Sequence, residues 1–308
     1  MKKTVAILIA GPTASGKSAL AHALAEQLSG IVINADSMQV YRELRILTAR
    51  PSEAEAGAVT YRLYGHVPGD EAYSAARYAD EVRIALAEAR AAEKLPIVVG
   101  GTGLYFKALL EGLSPIPPIP AEIRTRWREA AVEQGAASLH AQLAARDPVM
   151  AARLRPSDPQ RIVRALEVLE ATGVSLAQWQ EVPGEPVIQL DDALPLVVSP
   201  PREVLRQRID ARFDAMIEEG AIEEVRALAH LGLDPDLPLM RALGVRPLMD
   251  MLAGRVNATE AAEGAKAESR QYAKRQTTWL KSNMSAWKWQ DTQDMQSLPR
   301  QLCDFIKA

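Results

Sequence analysis

The chain has 308 residues, 48% of them apolar, with 36 Lys and Arg against 39 Asp and Glu and a net charge of −3. That length suits one large domain plus a smaller one, no run nears the ~18 apolar residues of a membrane span, and the acidic balance argues mildly against a nucleic-acid binder. The single cysteine, Cys303, excludes an intramolecular disulfide and a zinc site built on several thiolates, and it fits a reducing cytoplasm.

The first apolar run, Thr4 to Ala10, reads as a buried strand. The preceding Met-Lys-Lys has the look of a signal peptide. But the run is short and leads straight into the next motif, which cleavage would destroy. That motif is Gly11-Pro12-Thr13-Ala14-Ser15-Gly16-Lys17-Ser18. A strand, then Gly-x4-Gly-Lys-Ser, then a helical run from Ala19 to Leu28 is a phosphate-binding loop. Gly11 and Gly16 let the backbone bend around an anion. Lys17 can reach an outer phosphate, the Ser18 hydroxyl can ligate magnesium, and the helix aims its positive end at the same place.

The second strand, Ile31 to Asn34, runs into Ala35-Asp36-Ser37-Met38-Gln39-Val40-Tyr41. Polar residues just past a parallel strand face the ligand crevice, which puts Asp36 near the phosphates. There it can hold a metal, accept a proton from a nucleophile, or cap a following helix. A helix over Ser74 to Glu93 follows, with Ser74 as N-cap. The third strand, Pro96 to Gly100, ends in Gly101-Thr102-Gly103, where glycines admit a close-lying substrate.

After Gly112 the strand-helix rhythm breaks. Ser114 to Pro120 is an extended connector with four prolines, and 121–180 reads as wholly helical. A loop over Val182 to Asp192 precedes the fourth strand, Leu194 to Ser199. From Glu203 onward the chain reads as mainly helical. The expected architecture is α/β: a P-loop-containing parallel sheet core with helices on both faces, an all-helical insertion domain and a helical C-terminal region. The corresponding segments are 1–113, 114–192 and 193–308. Between Arg241 and Gln290 nine Lys or Arg face four acids, interleaved with Tyr272, Trp279, Trp287 and Trp289. That pattern suits RNA, and equally a solvated cationic helix over a Trp-rich core.

Five motifs in this order, GPTASGKS, DSMQVY, VVGGTGLYFKALLEGL, DPQRIVRALEV (158–168) and QYAKRQTTWLK (271–281), closely resemble the bacterial tRNA dimethylallyltransferases. The resemblance covers nearly the whole chain. It implies transfer of a dimethylallyl group from dimethylallyl diphosphate to N6 of the adenine 3′ of the anticodon, position 37. It implies that the loop grips the donor's diphosphate with Mg2+ at Ser18, and that Asp36, Thr102 and Lys17 are catalytic. It places Asp36, Ser37, Met38, Gln39, Thr102 and Arg124 against tRNA. The same holds for Gln160, Arg161, Ile162, Val163 and Arg164, and for Arg241, Ala242, Leu243, Gly244, Val245 and Arg246. The helical insertion becomes a clamp for the anticodon stem of a cytoplasmic, monomeric enzyme.

Two departures stand out. The family's His-His pair is here Leu63-Tyr64-Gly65-His66-Val67, and its Gly-Tyr-Arg/Lys element is Gly244-Val245-Arg246-Pro247. For Arg161 and Arg164, ion pairs with Asp158 and Glu167 are a structural rival to RNA contact. The alternative function is a P-loop small-molecule kinase using ATP. It leaves the Asp-Ser-x-Gln motif and the insertion unexplained.

Overall fold

The computed structural model describes residues 5–291 and 297–307. It divides into two compact units, Met1–Leu110 with Val187–Ala308, and Glu111–Pro186.

The first unit is built on a sheet of six strands: β1 (Ala6–Ala10), β2 (Gly30–Asn34), β3 (Thr60–Arg62), β4 (Leu95–Gly100), β5 (Ala193–Val198) and β6 (Lys288–Gln290). Their order is β3-β2-β4-β1-β5-β6, and every pairing is parallel. All five residues of β1 and of β2 are buried, as strands covered on both faces require. Ile7, Ile9, Val32, Ile97, Val99, Leu196 and Val198 pack on one face with Leu20 and Leu24 from the helix Lys17–Leu28. That helix ends at Ser29 in the left-handed region, so Gly30 opens β2 instead of closing the helix.

Four strands are legible as apolar runs. β3 and β6 are not, being three residues each. From Glu203 onward the described residues are mainly helical, as expected, with one addition at Lys288–Gln290, where Leu196↔Lys288 and Val198↔Gln290 pairs add an edge strand. Trp287 just before it is buried and packs edge-on against Phe106, with ring centroids 5.6 Å apart. Trp289 Nε1 donates to Met284 O at 3.1 Å. Those two tryptophans build the protein itself.

The helix Ala75–Ala91 starts at Ser74, whose side chain accepts from Arg77 N–H at 3.1 Å. A second pair of helices matters for the site. The helix Arg202–Glu218 is tied to the long helix Ala258–Asn283 by Arg270–Asp210 at 2.5 Å and Lys266–Asp214 at 2.7 Å. Both partners in each pair are spaced four residues apart on their own helix, so the two contacts form a ladder that sets the register.

The second unit is helical: Ala121–Arg146, kinked at Gly135, then Pro148–Arg153, Pro159–Thr172 and Leu176–Trp179. It has its own core, including Trp127, Leu139, Leu143, Ile162 and Leu166. Buried Asp147 organises a corner. It accepts from Met150 N–H at 2.9 Å and from Ser175 Oγ at 2.6 Å. At its open end Gly112, at φ 72°, lies against Gly184, and a Cβ on Gly112 would fall 2.4 Å from the Gly184 carbonyl carbon. Only glycine fits that neck.

Candidate active site

Parallel pairing brings the C-terminal ends of the strands to one edge of the sheet. There the phosphate loop leaves β1, Asp36 follows β2, and Gly101-Thr102 follows β4. Backbone hydrogen bonds join these loops: Gly11 N–H to Gly100 O at 3.3 Å, Ala35 N–H to Val99 O at 2.7 Å and Thr102 N–H to Ala35 O at 3.2 Å. They approach so closely that a Cβ on Gly100 would lie 2.0 Å from Ala35 O.

Within the loop, Ala14 at φ 60° and Gly16 at φ 92° are left-handed. Such turns aim successive N–H groups into a concavity that receives an anion. Gly16 is the N-cap of the helix Lys17–Leu28, so the helix dipole adds to the same field. Lys17 Nζ rests 3.3 Å from Pro12 O. Burial lowers its pKa to about 8, against the opposing pull of Asp36 and with a further push from Arg212. Ser18, one residue on, is exposed.

Asp36 is held in place by its neighbours. Fully buried Asn34 accepts from Asp36 N–H through Oδ1 at 2.8 Å, and its Nδ2 donates to Asp36 O at 2.9 Å and Leu63 O at 3.0 Å. Asp36 Oδ1 in turn accepts from Met38 N–H at 2.9 Å. No helix follows, so the capping role considered for Asp36 becomes a two-residue side-chain turn. The Thr102 hydroxyl accepts from Ser37 N–H at 3.0 Å and donates to Ser37 Oγ at 3.3 Å. Gln39 spends its amide nitrogen on Thr48 O and Ala49 O at 2.8 and 3.0 Å, which leaves Oε1 as the atom it can offer a ligand.

Three further residues complete the site, none of them singled out by the sequence alone. Arg208 and Arg212 lie one turn apart on the helix Arg202–Glu218. Arg208 Nη1 donates to Ser15 O at 3.4 Å. Arg212 acts electrostatically on both Lys17 and Asp36, and burial pushes its pKa down while Asp36 opposes that shift. Their i, i+4 spacing was the available signal. Gln276 is buried on the long helix. Its Oε1 accepts from Thr13 N–H at 2.8 Å and its Nε2 donates to Gly101 O at 2.9 Å. One turn before it on the same helix, Tyr272 has its pKa pushed up by burial above all and by the charge of Asp36. Trp279 covers Gly103, where a Cβ would come within 2.3 Å of the indole.

The site thus places a cationic anion cradle and a positioned carboxylate on one rim, beside a glycine-walled loop. A model of the family described as IPP transferase matches residues 39–283. The chain belongs to that family. It is similar to the tRNA dimethylallyltransferase of Parvibaculum lavamentivorans, 53% identical over 98% of this chain and 95% of the relative. It is also similar to that of Agrobacterium fabrum, 54% identical over 91% and 94%. Among solved structures it resembles the tRNA isopentenylpyrophosphate transferase of Bacillus halodurans, at 32% identity, TM-score 0.70 and coverage of 100% and 96%. It resembles as well a eukaryotic dimethylallyltransferase acting on tRNA, at 28% identity, TM-score 0.82 and coverage of 100% and 80%.

This IPP transferase family member holds its other expected RNA-contact residues in two segments, one in each unit. In the insertion, Arg124, Gln160 and Arg161 are exposed and Arg164 is half-buried. Both rival ion pairs form, Arg161–Asp158 at 3.5 Å and Arg164–Glu167 at 3.6 Å. Ile162 and Val163 are buried in the insertion's core, so their side chains serve packing and hold their polar neighbours outward. In the first unit Arg241 and Arg246 are exposed and Leu243 is half-buried, while Ala242, Gly244 and Val245 are buried between them. Gly244, at φ 85°, caps the helix Val245–Leu252. The departure at His66 is absorbed locally. Its Nε2 meets Glu81 Oε2 at 2.7 Å, which also accepts from Tyr73 OH at 2.5 Å, while Arg77 Nε donates to Glu81 Oε1 at 2.9 Å. Burial pushes the Glu81 carboxyl up, but those hydrogen bonds outweigh it and leave the group below its ordinary value.

Proposed function

We propose that the protein transfers a dimethylallyl group from dimethylallyl diphosphate to N6 of adenine 37 in tRNA, releasing diphosphate. The observation that carries this reading is the Asp36 carboxylate, fixed by Asn34 and by Met38 N–H, on the strand-end rim that also carries the phosphate cradle. A carboxylate in that place serves an incoming nucleophile on the far side of the reacting carbon from a leaving diphosphate.

The donor's C1–O bond breaks and its electron pair leaves with diphosphate. The N6 lone pair forms the new N–C1 bond, and the N6 proton passes to Asp36. Lys17, Arg212 and the loop N–H groups meet the charge that develops on the leaving oxygen. Thr102 and the turn at Asp36 fix the amine's approach, since an aryl amine is a poor nucleophile and gains most from alignment. The adenine must leave the anticodon loop to arrive there, which unpaired bases do at modest cost.

Among the described residues no group of three or more His, Cys, Asp or Glu could hold a metal. The exposed Ser18 hydroxyl fits a magnesium ion that takes most of its ligands from phosphate oxygens and water. Such an ion, when bound, supplies charge neutralisation to the leaving diphosphate. Among the described residues no helix is long and apolar enough to cross a membrane. We place the reaction in the cytoplasm, on a monomer, with the insertion Glu111–Pro186 gripping the anticodon stem.

The test incubates purified protein with unmodified tRNA and radiolabelled dimethylallyl diphosphate, with ATP as a parallel donor. Label in tRNA at N6 supports the reading. Phosphate transfer or ATP hydrolysis without prenylation replaces it with the kinase.

A further inference from the structure

In an anion cradle the main-chain N–H groups are expected to face the ligand. Thr13 N–H instead faces Gln276 Oε1 at 2.8 Å. The same carboxamide sends Nε2 to Gly101 O at 2.9 Å. One end therefore holds the donor loop and the other holds the residue before Thr102. Thr102 carries the tie onward, through its N–H to Ala35 O and its hydroxyl to Ser37 N–H, on either side of Asp36.

The chemistry of the two ends dictates the side chain. Reversing the amide would set donor against donor and carbonyl against carbonyl. Glu would lose the donor, Asn is one methylene short, and Leu would leave a buried N–H and C=O unmatched. The backbone is shaped to the same end. A Cβ on Gly101 would lie 2.1 Å from Gln276 Nε2. Gln276 lies on the buried stripe of the long helix, while Lys274 and Arg275 just before it are exposed.

We infer that Gln276 is a positioning residue that fixes the spacing between the diphosphate cradle and the acceptor pocket, and so acts on the rate of transfer and not on substrate capture. This rests on the transferase reading. The mechanism needs a donor carbon and an amine held in line by two separate loops, and Gln276 is the buried side chain that bonds to both.

The experiment is a double-mutant cycle of Gly101→Ala with Gln276→Ala, together with Gln276→Leu. It is read by steady-state prenylation, thermal unfolding and amide hydrogen exchange of the loop peptide containing Thr13. Gln276→Leu should lower kcat about tenfold or more, with KM for tRNA and for dimethylallyl diphosphate changed less than about twofold. Gln276→Glu, which keeps only the acceptor, should restore slow exchange at Thr13 without restoring kcat. Gly101→Ala should impair the wild-type background strongly and the Gln276→Ala background less, because the 2.1 Å collision with Nε2 is gone and only a 3.2 Å approach to Gly11 O remains. Additive effects, unchanged exchange at Thr13 in Gln276→Leu, or a loss carried by KM for tRNA would each overturn the inference. Should the wild-type protein not prenylate tRNA, the transferase reading fails. The exchange data and the cycle in unfolding temperature still decide the strut.

Discussion

Lys17 stands between Asp36, which favours its proton, and Arg212, which does not, and burial tips the balance toward the neutral amine. The sign of the consequence follows from linkage. With a folded pKa of about 8 against an ordinary 10.5, the unfolded chain binds more protons between those values, so this group's contribution makes stability rise with pH across that window. Below about 8 the folded state carries the whole penalty of a half-desolvated charge. Lys17→Met should therefore raise the unfolding temperature of the ligand-free protein at pH 7. The gain should fade as pH climbs toward 10.5, and diphosphate binding should be lost throughout. Calorimetry across that range, with and without inorganic diphosphate, checks both halves. A wild-type affinity for diphosphate that does not weaken above pH 8 would contradict the assignment. Asp36→Asn separates chemistry from architecture at the next position. Asn keeps the acceptor for Met38 N–H, so the turn survives, but it cannot take the proton. The expected result is a kcat reduced about 10²–10⁴-fold with tRNA affinity retained, measured by single-turnover prenylation and filter binding. Both residues were legible in the sequence because they sit in fixed register with a strand end. Asn34 carries no comparable signal, although its buried carboxamide is what aims Asp36. A polar residue closing an apolar strand gives no sign of which backbone it will serve.

At the level of elements, the strands that could be read are those long enough to be covered on both faces. β3 and β6 sit at the two ends of the sheet order and are three residues each, too short for any periodicity to show. The helices hid more of the site than the strands did. Arg208 and Arg212 belong to a helix with two other arginines, Arg202 and Arg206, and only the packing of Ile209, Phe213 and Met216 inward decides which of them turn toward the phosphate loop. Gln276 is a polar residue on the buried stripe of a helix otherwise read as cationic and aromatic. Of the four aromatics that suggested RNA, Tyr272 and Trp279 lie at the site, and Trp287 and Trp289 serve packing. Arg212→Ala tests the helix's contribution. Inorganic diphosphate should bind at least about tenfold more weakly by calorimetry, the loss expected for a charge-assisted contact. Arg206→Ala, exposed on the same helix, should leave it unchanged.

For the whole molecule, the insertion begins and ends at one place. Val187 N–H donates to Leu109 O at 2.8 Å, so residues flanking the insertion already meet within the first unit. Replacing Glu111–Pro186 with a short Gly/Ser linker should leave a cooperatively unfolding core that still binds diphosphate. tRNA affinity should fall to the level of nonspecific binding. A deletion protein with unaltered tRNA affinity would refute the role given to the insertion. The break in strand-helix rhythm and the proline-rich connector announced the extra unit. Its neck at Gly112 and Gly184 was invisible, because only the fold brings those two glycines together.

The sheet order also sets a timetable for synthesis. β5 is the neighbour of β1 on the side away from β4, yet it is made only after the contiguous insertion. On the ribosome the insertion can complete its own core while β1 still presents an unpaired edge. The part of the protein inherited second in the chain is the first that can finish folding. The phosphate loop, made before the insertion, waits longer still: Gln276, its clasp, is made only after both the insertion and β5.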